Sequence, residues 1–356
     1  GDEYLNNLLN QSTDHKISPE KARIGFVCGS IEEACKQMKL ALDTLEKKED
    51  STEWSQKGIH YAEKRQQADG TVVALFSGQG SQYLNMGKEL LMAFPSLHDS
   101  FHALDKHFLE DGGVPLSRVV FPNPVFDDSE REVQANLLQL TQHAQPAIGG
   151  IGAGMYRILK DCGLKADFTA GHSFGELTAL WAGGVLDDSA YYLLAHARGQ
   201  AMAAPDDPEF DAGSMLAVMG KVDEMEKELE SLPEVRLANL NSKKQVVLAG
   251  PKVEITQAQE LLKAKKYTVV PLPVSAAFHT PLVGHAQKPF AKAIRSVKFK
   301  NPEVPVYSNA TAKPYPEQPD KIQKQLEEHV LNPVRFREEI EQIYKDGGRI
   351  FIEFGP

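Results

Sequence analysis

The pattern of apolar and polar positions changes character at Thr71. Before it, apolar residues are sparse. Residues 1–20 are polar and read as extended, and RIGFVC (23–28) predicts a short strand. Ser30 offers an N-cap, and Glu33 completes a capping box. Ile31, Cys35, Met38, Leu42 and Leu45 follow at helical spacing, so a helix should end near the KKED run at 47–50. The polar stretch 51–70 reads as a linker. This small α/β unit, 1–70, is too short to bury much core and is expected to pack on a neighbour.

After Thr71 the apolar runs lengthen. TVVALFSGQGSQ (71–82) predicts a buried strand entering a Gly-rich turn. Helices are predicted over 84–94, ended by Pro95, and over 97–110. FPNPVFDDSE (121–130) reads as a loop, with the acidic run 127–132 as a solvated loop. A long helix should run from Gln134 to Asp161, bent near Pro146. Phe168–Gly171 predicts a strand, and a helix starts after Ser173. Between 211 and 273 the rhythm changes. Strands are predicted at Ser214–Val218, Val235–Asn239, Gln245–Ala249 and Thr268–Val274, with helices at Val222–Ser231 and Val253–Lys265. That βαββαβ order is the ferredoxin-like arrangement. The larger unit resumes with SAAFHTPL (275–282), a helix over 283–296, a strand at Val304–Ser308, a helix over 319–330, a last helix and a terminal strand. The expected class is α/β, with a large unit in two parts, 71–210 and 274–356, around an inserted small unit, 211–273.

Composition narrows the function classes. With 42% hydrophobic and 25% charged residues, the bulk of the chain is globular rather than disordered or collagen-like. Lys+Arg total 39 against 49 Asp+Glu, a net charge of −10. That balance argues against general nucleic-acid binding, which needs a cationic face. The small unit is different: it carries nine basic and nine acidic residues, so the remainder holds the whole −10. Lys243, Lys244 and the KAKK run at 263–266 are candidates for meeting an acidic partner, and a solvated helix face is the plain alternative. Cys28, Cys35 and Cys162 form no CxxC, so neither a disulfide framework nor a zinc ribbon is expected. A reducing, cytoplasmic setting fits best. No apolar run approaches the ~18 residues of a membrane span, and residues 1–18 lack a signal-peptide core. The start at Gly1 and the stop within FIEFGP (351–356) read as a fragment of something larger.

Several short motifs carry chemistry. Gly171-His172-Ser173-Phe174-Gly175 matches GxSxG, a sharp strand-to-helix turn that presents a serine Oγ. The Phe174 N–H, at the helix start, is a candidate oxyanion donor. The plain alternative is a Gly-containing turn with an incidental serine. His279, in Phe278-His279-Thr280-Pro281, is the candidate base for Ser173. No Asp or Glu in an obvious third-member motif follows it, and a backbone carbonyl could orient the imidazole in its place. Arg198 lies 25 residues after Ser173 in YYLLAHARGQAMA. Two readings stand open: a surface arginine paired with Asp187 or Asp188, or a bidentate clamp for a substrate carboxylate. GQGSQ (78–82) could complete an oxyanion hole with backbone N–H groups, and no GK[ST] follows to make it a phosphate loop. The Gly-rich run 149–154 lies inside a helical stretch, where close helix packing explains it better than dinucleotide binding.

Together these motifs resemble the acyltransferases that load malonyl groups onto acyl carrier proteins, over about residues 71–356. The markers are GQGSQ (78–82), GHSFGE (171–176), the arginine of HARG, NLNS and VVLAG (239–250), AAFH (276–279), LNPVRF (331–336) and FIEFGP (351–356). GHSFGELTALWAGGV (171–185) looks most like acyltransferase domains of polyunsaturated-fatty-acid synthases, and 1–70 resembles the linker joining a ketosynthase to such a domain. The resemblance implies a hydrolase-like core with a parallel sheet and a nucleophile elbow, and the ferredoxin-like unit as one wall of the cleft. It implies Ser173 as nucleophile, His279 as base, Gln79 and Phe174 as oxyanion donors, and Arg198 as the clamp on the malonyl carboxylate. Phe278 resembles the malonyl-selecting pattern. His329, three residues before Asn332, holds the place whose backbone carbonyl orients the histidine, where several relatives carry glutamine or asparagine. AAFH departs from the commoner HAFH. No cofactor is implied. The implied partners are malonyl-CoA, an acyl carrier protein and a neighbouring ketosynthase, with neither nucleic acid nor membrane. The rival readings are a serine thioesterase or other hydrolase, which would admit water to the same serine and histidine, and a non-catalytic docking module.

Overall fold

The computed structural model describes residues 21–47, 52–63, 71–205, 207, 210–221, 223, 225–274 and 276–356. The expectations for 1–20, 64–70 and Ser275 lie outside the described residues. The chain divides into two compact units, Gly1–Asp69 and Gly70–Pro356.

In the first unit, β1 (Arg23–Gly25), α1 (Ile31–Lys47), β2 (Glu53–Gln56) and β3 (Ile59–Ala62) follow in order. Ser30 caps α1 as expected, accepting from Glu33 N–H at 3.1 Å, while Glu33 Oε2 reaches one residue past the reciprocal capping-box position to accept from Gly29 N–H at 2.8 Å. The stretch expected to be linker instead holds a hairpin. Its two-residue turn, Lys57–Gly58, has φ 50° and 77°, the doubly left-handed turn that matches strand twist. The strands pair antiparallel in the order β1-β3-β2. Ala41, Trp54 and Ile59 form their small core.

The second unit begins with β4 (Thr71–Phe76), then α2 (Lys88–Ala93), α3 (Pro95–Glu110), α4 (Leu116–Val120), α5 (Asp128–Gln139) and α6 (Thr141–Asp161). Two local expectations are corrected here. The acidic run at 127–132 opens α5 rather than forming a loop: Asp127 caps it by accepting from Ser129 N–H at 2.7 Å, and acidic side chains suit a helix N-terminus. The single long helix is two, broken at Leu140, whose ψ of 134° is extended. Pro146 then falls in the second turn of α6, where it forfeits one backbone bond instead of splitting a longer helix. The glycines of α6 admit neighbours as expected. A Cβ on Gly149 would sit 2.7 Å from Tyr191 Oη, and one on Gly154 2.1 Å from Leu97 Cδ1.

β5 (Phe168–Gly171), α7 (Gly175–Ala182) and α8 (Asp188–Ala201) follow. Then come β6 (Ser214–Met219), α9 (Met225–Glu228), β7 (Arg236–Ser242), β8 (Gln245–Gly250), α10 (Lys252–Ala264) and β9 (Thr268–Pro271). These four strands make one antiparallel sheet in the order β7-β8-β6-β9, the ferredoxin-like order, over a core of its own built on Leu216, Val246, Leu248 and Leu262. Its entry and exit are tied: Leu272 N–H donates to Met215 O at 3.0 Å, and Ala277 N–H to Ala212 O at 2.7 Å.

The chain closes with α11 (Gly284–Ser296), β10 (Tyr307–Ser308), β11 (Lys313–Pro314), α12 (Pro319–His329), α13 (Phe336–Lys345) and β12 (Gly348–Phe354). β12, β4 and β5 form a parallel sheet with β4 central, and a parallel bridge between Thr169 and Val306 extends it. The central strand of a parallel sheet is covered on both faces and reads as a continuous apolar run, as TVVALF does. Among the described residues, no helix is long and apolar enough to cross a membrane.

Candidate active site

The turn from β5 into α7 is too tight for side chains at its ends. A Cβ on Gly171 would lie 2.1 Å from the Gly175 carbonyl carbon, and one on Gly175 2.1 Å from Phe76 O. Between them Ser173 takes φ 52°, a left-handed conformation that costs a non-glycine residue ~1–3 kcal/mol. Asn309 spans the turn: its Oδ1 accepts from Ser173 N–H at 2.6 Å, and its Nδ2 donates to Gly171 O at 2.7 Å. This is the elbow expected from GHSFG.

Ser173 Oγ lies 2.7 Å from His279 Nε2. His279 also has positive φ, 62°, and is buried. Its Nδ1 lies 2.9 Å from Asn332 O. A carbonyl can only accept, so Nδ1 carries the hydrogen and Nε2 keeps its lone pair for the serine proton. Burial, then the Arg198 charge and then His172, push the imidazole down to about 3, which keeps it neutral. The orienting carbonyl is therefore a correction to the expectation at His329. Asn332, at the turn after α12, takes the bond, and the His329 carbonyl is a lesser neighbour. The His329 ring stands edge-on to His279 at 5.6 Å and reaches 3.5 Å from Glu176. Burial and the Arg198 charge hold His329 well below its ordinary range, so that contact is not an ion pair.

The GQG loop lies against the elbow. A Cβ on Gly78 would strike His172 O at 2.3 Å. The Gln79 side chain donates to Thr141 Oγ1 at 3.3 Å and accepts from Gln145 Nε2 at 3.2 Å. Among the described residues, no acceptor takes the backbone N–H of Gln79 or of Phe174.

Arg198 is fully buried. The surface-pair reading fails because both aspartates are engaged elsewhere: Asp187 caps α8 at Ala190 N–H, and Asp188 pairs with Arg157 at 2.7 Å. Arg198 Nη1 donates to Gln145 Oε1 at 2.6 Å, while Nε and Nη2 are buried with no hydrogen-bond partner. The guanidinium stands 5.7 Å from the Phe174 ring. Burial lowers its pKa to about 10, so it is a cation at neutral pH. A cavity of about 180 Å³ opens beside Ser173 and His279, lined also by Gln79, Gln145, Phe278 and Asn241, and Gln145 links it to Arg198.

Residues 73–356 match the acyl transferase domain family. The chain belongs to that family. It is 35% identical over 295 residues to the malonyl CoA-acyl carrier protein transacylase of Bacillus subtilis, covering 80% of this chain and 86% of that protein. It is 32% identical over 344 residues to a polyunsaturated fatty acid synthase polypeptide of a Thraustochytrium species, covering 94% of this chain but only 12% of that polypeptide. Superposition on the crystal structure of the acyltransferase domain from the second module of the salinomycin polyketide synthase gives a TM-score of 0.77. The two are 26% identical, with 100% of this chain and 80% of that chain covered.

Four residues of this acyltransferase escaped the motif reading of the site. Asn309 holds the elbow, Asn332 orients His279, and Gln145 joins Arg198 to Gln79. Asn241 Oδ1 lies 2.8 Å from His172 Nε2 and so fixes the residue beside the nucleophile. Asn241 and Asn332 fall within NLNS and LNPVRF, which therefore pointed to them without stating a task. Gln145 precedes Pro146 in a helix, and Asn309 follows a two-residue strand. Neither has a local signature.

Proposed function

We propose that the chain transfers a malonyl group from malonyl-CoA to the phosphopantetheine thiol of an acyl carrier protein, in two half-reactions through Ser173. The observation that carries this is Arg198: a buried cation with two unspent N–H groups, set against the ring of Phe174 next to a serine that lies 2.7 Å from a neutral imidazole, which feels the Arg198 charge. A planar pair of donors of that kind suits a carboxylate, which malonyl bears and acetyl lacks.

His279 Nε2 takes the Ser173 proton as Oγ attacks the thioester carbonyl. The oxyanion is received by the N–H groups of Gln79 and Phe174, a term whose loss typically costs ~10²–10³ in rate. The C–S bond breaks, the proton passes from His279 to the CoA sulfur, and a malonyl-serine ester remains. The carrier thiol then gives its proton to His279 and attacks the ester. Collapse returns the proton to Ser173 Oγ. Phe278 lines the cavity with Ser173 and His279, and it is proposed to favour malonyl over bulkier extenders.

The small sheet is proposed as the wall that meets the phosphopantetheine arm. A groove lined by Lys221, Lys243, Lys244 and Ser242 shares Gln245 with the catalytic cavity. Lys265 of the KAKK run is engaged with Glu228, which shifts the docking assignment toward Lys243 and Lys244. The first unit is proposed as the linker to a ketosynthase, in keeping with the likeness to the synthase polypeptide through 94% of the chain. Three exposed free cysteines suit a reducing, cytoplasmic setting.

Intact-mass spectra after incubation with malonyl-, methylmalonyl- and acetyl-CoA test the reading. A malonyl adduct that disappears in Ser173→Ala and moves to a carrier thiol is expected. Release of free malonate in place of transfer would identify a hydrolase instead.

A further inference from the structure

A buried polar cluster lies beneath the elbow, away from the reacting atoms. Its centre is Asn309, fully buried at the end of β10. Each hydrogen-bonding group of Asn309 is committed. Its N–H donates to Glu176 Oε2 at 2.6 Å and its carbonyl accepts from Arg335 N–H at 2.9 Å. Its Oδ1 accepts from Ser173 N–H at 2.6 Å. Its Nδ2 donates twice, to Gly171 O at 2.7 Å and to Glu339 Oε2 at 2.6 Å.

Glu339 comes from the middle of α13 and is 0% exposed. Its other oxygen, Oε1, has no hydrogen-bond partner. A carboxyl group buried without a cation is costly. Here its one hydrogen bond is to the amide that grips the nucleophile's backbone on both sides. The amide must face one way. Were it flipped, Oδ1 would face the Gly171 and Glu339 oxygens, and Nδ2 would face the Ser173 N–H. The two acceptors on Nδ2 exclude that flip. A left-handed serine persists only where its surroundings over-determine it.

We propose that Glu339 is a positioning residue for the acyl transfer: by fixing the orientation of the Asn309 amide it holds Ser173 left-handed, with Oγ on His279. Burial and the neighbouring Glu176 carboxyl push the Glu339 carboxyl well above its ordinary range. The assignment rests on Ser173 as the nucleophile.

The test compares rates per competent site. The full chain is titrated with a fluorophosphonate, which labels an activated serine, and separately with malonyl-CoA. The amplitude counts sites able to react, and the rate reports their reactivity. Glu339→Met fills the volume and removes the acceptor; Glu339→Gln keeps an oxygen for Asn309. A positioning role predicts that the methionine variant reacts about tenfold more slowly per site with both reagents, at unchanged KM for malonyl-CoA, and that the glutamine variant stays within about twofold of wild type. A merely structural role lowers amplitude and leaves the rate. Wild-type rates per site in Glu339→Met, or an equal loss in Glu339→Gln, would overturn the proposal. Asn309→Asp provides a second reading, because it keeps the acceptor for Ser173 N–H and loses both donations. A rate loss of about tenfold or more is expected there, and a wild-type rate overturns the proposal. Wild-type protein unlabelled at Ser173 would reject the reading of the site itself, a different outcome from any of these.

Discussion

Ser173 and His279, 106 positions apart and 2.7 Å apart at their reacting atoms, both hold left-handed backbone, with φ 52° and 62°. Each side chain is thus presented by a turn that its neighbours must enforce. Removing the base while keeping the turn isolates its chemistry. His279→Asn should slow malonyl loading by ~10²–10⁴, with the folded fraction checked by circular dichroism. Loading within tenfold of wild type would remove His279 from the reaction.

The pH profile follows from burial. His279 falls from its ordinary 6.5 to about 3, so the base form is already complete at pH 5. The kcat/KM for malonyl-CoA should stay level from pH 8 to pH 5, and an acid limb centred near 6.5 would contradict this. The sign for stability is the same: below about 6.5 the unfolded chain takes a proton that folded His279 refuses, so acid weakens the fold.

Glu176 acts in the opposite sense. Burial, opposed by hydrogen bonds from Tyr315 and Asn309, raises it from 4.5 to about 7. The folded state keeps a proton that the unfolded chain releases above 4.5, so its contribution is intact at low pH and is lost as pH rises through about 7. Between pH 4.5 and pH 8, wild type should lose ~3 kcal/mol relative to Glu176→Gln. Chemical denaturation at the two pH values measures it, and an unchanged difference would place the carboxylate in its ordinary range.

Carboxylate selection should depend on Gln145 as well as Arg198. Arg198→Ala is expected to abolish the preference for malonyl over acetyl groups in loading assays. Gln145→Leu keeps the cation but cuts its links to Arg198 and Gln79. Loss of one such charge-assisted bond should reduce malonyl loading ~10-fold or more. Unchanged selectivity in Arg198→Ala would refute the clamp.

Charge reversal at Lys243 and Lys244 should raise KM for the carrier while the rate of loading from malonyl-CoA falls less, since the carrier contributes a protein surface besides its arm. An equal response in both half-reactions would move carrier docking elsewhere.

What the sequence disclosed, and what it hid, divides by range. The elbow, the βαββαβ order and the buried strand Thr71–Phe76 are local patterns, and each appears where expected. The polar stretch after Lys47 hid a hairpin because its one turn signal, Lys57-Gly58, sits among charges that resemble a linker. Asp127 and its acidic neighbours served equally well as loop or helix start, and the cap decided. Within the site, residues that touch the reacting groups lay in recognisable motifs. Asn309 and Glu339, which hold one of those groups from behind, are single polar letters whose meaning exists only once β10 and α13 come together.

The ties between Met215 and Leu272 and between Ala212 and Ala277 join the two ends of the inserted sheet just ahead of His279. Imidazole and insert consequently share an anchorage, whereas the serine is rooted in the parallel sheet. The 2.7 Å pair therefore joins two differently rooted parts of the second unit, and the Asn332 carbonyl holds the imidazole from the larger of them.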